Sequence, residues 1–276
     1  MPSAVGFVDN SNSLSAHYNF LEFVKTFCEA NGWTVLRYDT TAANRELILK
    51  GIGFTGLEEI FIGIRTYQNS FSDFYNIAVA TFTGYVSGNT FDTQPGARLS
   101  GVPAHNQRID YWLTLNQQRL AFALKVGTPV YESAYIGKCL PYSRPSQYPY
   151  PVVCAGMLSG ASATRFSDNA QSMPYKGNRA NMVLRSNDNW LQVYAMPYQN
   201  QYTASFRDTG DHYHLTPIEL YTPANGIYGA LDGVYHITGF NNVVENTTVI
   251  NGATYHIIQD VYRTGPGDYY ALRMDA

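Results

Sequence analysis

Apolar side chains change their spacing early in this chain, and the change divides it into elements. Over residues 15–31, Phe20, Val24, Phe27 and Cys28 recur at helical spacing and Leu21 widens the stripe, which predicts an amphipathic helix. Ser13 or Ser15 can cap its start, and Asn31-Gly32 supplies a left-handed stop. From there the period is two. Trp33 to Tyr38, Glu46 to Lys50, Glu59 to Thr66 and Phe74 to Tyr85 are rich in Ile, Val, Phe and Thr and predict strands. Residues 86–107 carry Gly88, Pro95, Gly96, Gly101 and Pro103, and predict loop with at most a short helix. Ile109, Tyr111, Leu113 and Leu115 then alternate with Asp110, Trp112 and Thr114. Leu120, Phe122, Leu124 and Val126 alternate in the same way, so a hairpin through Asn116-Gln117 is predicted. Thr128 to Leu140 continues as a third strand, punctuated by Pro129 and Gly137.

Pro141-Tyr142-Ser143-Arg144-Pro145-Ser146-Gln147-Tyr148-Pro149-Tyr150-Pro151 interrupts this pattern. Its prolines exclude a helix or a central strand, so the stretch reads as a stiff, extended segment. Short strands follow between turn clusters: Ala180 to Arg185, Trp190 to Met196, Ile218 to Tyr221, Gly233 to Thr238, Thr254 to Tyr262 and Tyr269 to Met274. The expected fold class is α+β and β-rich, with an N-terminal helix packed on an antiparallel sheet and a small all-β C-terminal unit. The expected domains are 1–145 and 152–276, joined by segment 141–151.

Composition narrows the surface chemistry. In 276 residues, charged side chains are only 14%, against about 25% in an average soluble domain. Tyrosine (23) and glycine (23) are plentiful, asparagine reaches 21 and lysine falls to 5. The surface is therefore built from amides, hydroxyls and phenols. A net charge of −3 excludes a generic basic footprint for nucleic acid. No apolar run approaches the ~20 residues that cross a bilayer, and the first residues lack the basic and apolar regions of a signal peptide. Cys28, Cys139 and Cys154 are an odd number without a CxxC, and read as reduced, buried thiols.

Several constellations invite chemistry, and each has a plainer reading. Gly51-Ile52-Gly53-Phe54-Thr55-Gly56 fits GxGxxG, but a nucleotide site needs a helix next, and Leu57 to Ile64 reads as strand. A glycine-rich hairpin loop is the better account. Asp211-His212-Tyr213-His214 puts two imidazoles on one face when extended, a metal-chelating spacing with His236, His256 and Asp208 as possible helpers. A loop histidine pair bonded to backbone or water is the plainer reading. Glu58, Glu59 and Asp73 offer carboxylates for acid-base work, and nothing in the pattern separates them from solvated loops. No catalytic, cofactor or metal site is therefore expected. The unusual cluster is Tyr142, Arg144, Tyr148 and Tyr150. Aromatics and arginine are enriched in interface hot spots, and prolines lower the ordering cost of contact. This segment is either an arm docking on a neighbouring subunit or a strap across its own sheet.

The run Ile109 to Leu120, then Lys125-Val126-Gly127-Thr128-Pro129-Val130-Tyr131-Glu132-Ser133-Ala134-Tyr135-Ile136-Gly137, resembles a recurring family of tailed-bacteriophage virion structural proteins. Leu140-Pro141-Tyr142 with Pro145 to Pro151 belongs to the same pattern, as do Gly229 to Tyr235, Gly239 to Asn242 and Val261 to Thr264. The likeness covers residues 15–275 in order, with Asn116-Gln117 where Asn-Gly is expected at the hairpin tip. The opening helix and sheet are also similar to small ring-forming tail-completion proteins, an analogy of fold. The resemblance implies a non-enzymatic subunit of the tail or head-to-tail neck in a collar, terminator or connector role. It implies a homo-oligomeric ring, contacts with tail tube, sheath, connector or baseplate proteins, and no membrane or sequence-specific nucleic acid. It implies residence in the virion after synthesis in the host bacterial cytoplasm. The alternative is a baseplate or fibre-associated module recognising host surface glycans, which expects Trp112 or Trp190 exposed in a groove. A cell-wall hydrolase would need a carboxylate pair about 5–9.5 Å apart, and no such pair is legible.

Overall fold

The computed structural model describes residues 1–275 except 128, 144–149, 162–163, 168–170, 177–180, 187, 199–213 and 240. The chain opens with β1 (Ser3–Asp9) and α1 (Ala16–Ala30), followed by β2 (Thr34–Asp39), β3 (Glu46–Gly51), β4 (Ile60–Asn69), β5 (Phe74–Phe82) and β6 (Arg98–Val102). Next come β7 (Arg108–Leu115), β8 (Arg119–Val126), β9 (Val130–Lys138), β10 (Leu140–Pro141) and β11 (Val152–Ala155). A 3₁₀ turn, Pro174–Lys176, precedes β12 (Met182–Ser186), β13 (Asn189–Gln192) and β14 (Tyr194–Met196). The chain closes with β15 (Thr216–Thr222), β16 (Gly226–His236), β17 (Thr247–Ile250), β18 (Ala253–Gln259) and β19 (Tyr269–Arg273).

These strands form three sheets. The central sheet runs β1-β7-β8-β9-β11-β12-β13, and β2 to β6 form a five-stranded meander. The third runs β14-β15-β16-β19-β18-β17 with β10 added on β16. Every pairing is antiparallel. The expected α+β architecture is thereby corrected: the molecule is mainly β, and α1 is the only α-helix among the described residues. The helix contacts β1 and β7 of the central sheet as well as β2, β4 and β5 of the meander. The C-terminal part is no small separate unit. Its β11, β12 and β13 extend the central sheet through β9, while β10, at the start of the proline segment, joins the third sheet. Strands from both sides of segment 141–151 therefore share sheets.

Local chemistry explains most of the elements. Phe20, Leu21, Val24 and Cys28 form the buried face of α1. Phe20 lies 5.5 Å from Phe122, and Phe23 stacks on Tyr111 at 4.4 Å. Each such buried apolar side chain contributes about 1.5–3 kcal/mol. Ser15 occupies the N-cap position without a side-chain cap bond. The left-handed stop falls on Gly32 (φ +89), which costs a glycine little. The expected loop 86–107 contains β6, paired to β5. β1 was also missed, because Ala4, Val5, Phe7 and Val8 fill both phases of the strand and its partner β7 is remote in sequence.

The central sheet is covered on both faces. Along β8, Phe122 meets the helix side, while Arg119 and Lys125 of the opposite phase meet Asp232 and Glu245 of the third sheet's region. On β9, Ser133 Oγ lies 2.7 Å from the Tyr270 hydroxyl, whereas Lys138 turns to Glu58 from the meander. All nine residues of β9 are buried, as a strand between two layers requires.

Candidate functional site

The turn at residues 116–118 organises one end of the molecule. Asn116 Oδ1 accepts the backbone N–H groups of Gln118 (3.0 Å) and Arg119 (3.1 Å), a side-chain-closed turn that needs no glycine. The three main-chain carbonyls of the turn are all satisfied. Asn116 O accepts from Trp33 Nε1 at 2.8 Å, Gln117 O from the Gly53 N–H at 2.9 Å, and Gln118 O from the Lys138 N–H at 2.8 Å. Underneath, Asn116 Nδ2 (2.5 Å) and Gln118 Nε2 (3.2 Å) donate to Asp232 Oδ2. Gln118 and Asn116 thus tie the turn to the third sheet.

This turn fixes the β3–β4 loop, which is the GxGxxG segment. No helix follows it; Ile60 opens β4. Gly53 (φ +64) leaves no room for a side chain, because a Cβ would meet the Glu58 carboxylate. Glu58 itself is buried in an ion pair with Lys138. Between these anchors the loop presents Phe54 (62% exposed) and Leu57 (86%) to solvent.

Past Lys138 the chain changes sheets. Cys139 is buried, Leu140 pairs with Ala230, and the Tyr142 N–H donates to Tyr228 O at 3.0 Å. Leu140 and Ile227 are exposed on the same pair of strands, and the Tyr142 ring stays 58% exposed. Its hydroxyl donates to Glu219 Oε1 at 2.6 Å, and that bond, then burial, pushes its pKa up to about 12. Tyr150 behaves differently. It is half-buried against the main core, with Lys138 Nζ 5.1 Å from its ring centre, and Pro151 O accepts the Cys139 N–H at 3.1 Å. Of the predicted cluster, then, Tyr150 packs inward and Tyr142 faces outward, while Arg144 and Tyr148 lie outside the described residues. Phe54, Leu57 and Ile227 were not singled out from sequence. Their signal was the apolar residue inside a turn-rich segment.

The remaining sequence constellations disperse. Asp211, His212 and Tyr213, like Asp208, lie outside the described residues, and His214 is exposed. His236 is buried, its ring 4.7 Å from Tyr198, and burial lowers its pKa to about 4. Glu59 pairs with Lys50 at 3.5 Å, and Asp73 pairs with Arg165. No three His, Cys, Asp or Glu among the described residues converge as a metal site. All three cysteines are free and buried, and burial pushes the Cys139 and Cys154 thiols up to about 12. Of the two tryptophans the glycan alternative names, Trp112 is 5% exposed. Trp190 is half-buried, with Nε1 donating to Gly96 O at 3.0 Å. No helix among the described residues is long and apolar enough to cross a membrane. Set beside known proteins, the chain matches no family model and no curated protein sequence.

Proposed function

We propose that this chain is a non-enzymatic structural subunit of a tailed-bacteriophage virion. It forms or decorates a ring in the tail or head-to-tail neck, in a collar, terminator or connector role. The observation that carries the reading is the Tyr142 surface. An exposed aromatic side chain is held in place by Glu219, next to the strand pair β10 and β16 that carries exposed Leu140 and Ile227. An anchored tyrosine among apolar neighbours loses little entropy on contact, which is the property of an interface hot spot. The sequence resemblance supplies the virion context, with tail tube, sheath, connector or baseplate proteins as partners. Copies joined by heterologous, closing contacts give a ring.

The test is the mass of the purified protein by light scattering, with negative-stain imaging of any large species. Closed rings or stacks of rings are expected, alone or on addition of isolated tails. A monomer at every concentration that also fails to bind tails overturns the proposal.

A further inference from the structure

A second cluster lies apart from the Tyr142 surface, where the chain leaving β18 runs beside the start of β9. Val261 and Tyr131 exchange backbone hydrogen bonds of 3.0 and 3.2 Å there. Asp260 is fully buried. Its Oδ1 accepts the Met173 N–H at 2.6 Å, and its Oδ2 accepts from Ser172 Oγ at 2.9 Å and Arg263 Nη1 at 3.0 Å. The same Oδ2 lies 3.4 Å from Lys176 Nζ. Lys176 Nζ is also in direct contact with Asp268 Oδ1. The other oxygen of that carboxyl, Oδ2, accepts the Gly265 N–H at 2.7 Å. Backbone bonds from Asp268 N–H to Gly265 O (2.9 Å) and from Asp260 N–H to Asp268 O (2.7 Å) hold the two acids in register.

Condensing an amine with a carboxylic acid needs an amine held against the carboxyl carbon, a donor on the oxygen that gathers charge, and a group that relays protons. Lys176, lying against Oδ1 of the Asp268 carboxyl, the Gly265 N–H on Oδ2 and Asp260 beside the lysine supply those three groups. Side-chain exposure falls from 33% at Lys176 to 12% at Asp268 and none at Asp260, so the relay is the group most shielded from water. The buried Lys138–Glu58 pair makes the contrast: among the described residues no second carboxylate pairs with that lysine.

We propose that Lys176 and Asp268 condense to an intramolecular isopeptide bond with Asp260 as the proton relay. The ammonium passes a proton to Asp260, and the neutral amine attacks the Asp268 carboxyl carbon. Negative charge gathers on Oδ2 under the Gly265 N–H. The nitrogen then loses a second proton, Oδ1 takes up both, and the C–Oδ1 bond breaks to release water. The amide nitrogen keeps one hydrogen, the opposite charges of the pair disappear, and no oxidant or activated co-reactant enters. The bond ties the 3₁₀ turn at Pro174–Lys176 to the connection between β18 and β19, closing a covalent loop across residues 176–268.

Intact-mass measurement of the purified full chain tests this. The wild type is expected to be lighter than its sequence by one water, and to remain so after denaturation. Trypsin is expected to release one branched peptide containing both Lys176 and Asp268, with no cleavage after Lys176. Lys176→Arg, which retains a cation beside both acids, and Asp260→Asn are each expected to restore the full mass. Folded wild-type protein of full sequence mass overturns the proposal whatever the variants do. So does a missing water that maps to other residues.

Discussion

Glu132 is fully buried on β9, and neither of its carboxylate oxygens has a hydrogen-bond partner among the described residues. Burial raises its pKa well above the ordinary carboxylate value, reinforced by Asp260 and opposed by Arg263. A carboxyl held neutral in the fold but ionised when unfolded contributes stability that is complete below the unfolded value near 4.5 and is lost as pH rises through the folded one. Glu132→Gln removes that loss. Thermal melts at pH 4 and pH 8 check the sign: the variant's gain over wild type is expected to be larger at pH 8. An equal gain at both values would contradict the neutral assignment. The five lysines show a related economy. Lys25, Lys50, Lys125, Lys138 and Lys176 each stand within ion-pair distance of an acid. Four are partly exposed; Lys138 is not. Lys138→Ala leaves Glu58 charged and buried, which costs about 3–5 kcal/mol in chemical denaturation. The double variant Lys138→Ala/Glu58→Gln is expected to recover much of it, since no charge is then stranded.

At the scale of elements, the β7–β8 hairpin was legible because its apolar positions alternate and the Asn116 side chain can close a turn by itself. The glycine-rich run 51–56 was legible as a hairpin loop for a similar reason: strand-like sequence follows it directly. The interface segment was legible only as a choice between arm and strap, and the two described tyrosines divide between those roles. Tyr150→Ala is expected to lower monomer stability by about 3 kcal/mol or less, through lost burial and the lost Lys138 contact. Tyr142→Ala is expected to leave the melting temperature within about 2 °C of wild type, because an exposed ring contributes little to the fold. It is expected to shift the light-scattering mass toward monomer. Assembly unaffected by Tyr142→Ala would remove the tyrosine from the interface. Sequence did not point to Phe54 and Leu57, because their exposure depends on anchors at Gln117 and Lys138, far away in the chain.

Across the whole molecule, one buried cluster runs from α1 through the central sheet to Ile218, Leu231 and Tyr270 of the third sheet, so the layers share a core. An assembly built from aromatic, apolar and amide contacts has little to lose to screening, since exposed ion pairs contribute about 0–1 kcal/mol and fade with salt. The mass of the proposed ring is therefore expected to be the same in dilute buffer and in molar sodium chloride; dissociation at high salt would mean that charge pairs hold it. What the sequence determined by itself was local. The period of apolar residues set α1 and most strands, burial-prone thiols followed from scattered cysteines, and prolines marked residues 141–151 as a break in the alternating pattern. The tertiary structure decided which strands pair and what covers each face. A period of two reports alternation alone. It does not say that Arg119 and Lys125 of β8 find acids on a third sheet, that β1 crosses to β7, or that β11 returns to β9 and joins the chain's two halves. Those pairings are non-local, and their free energy comes from surfaces that meet only after the chain has folded.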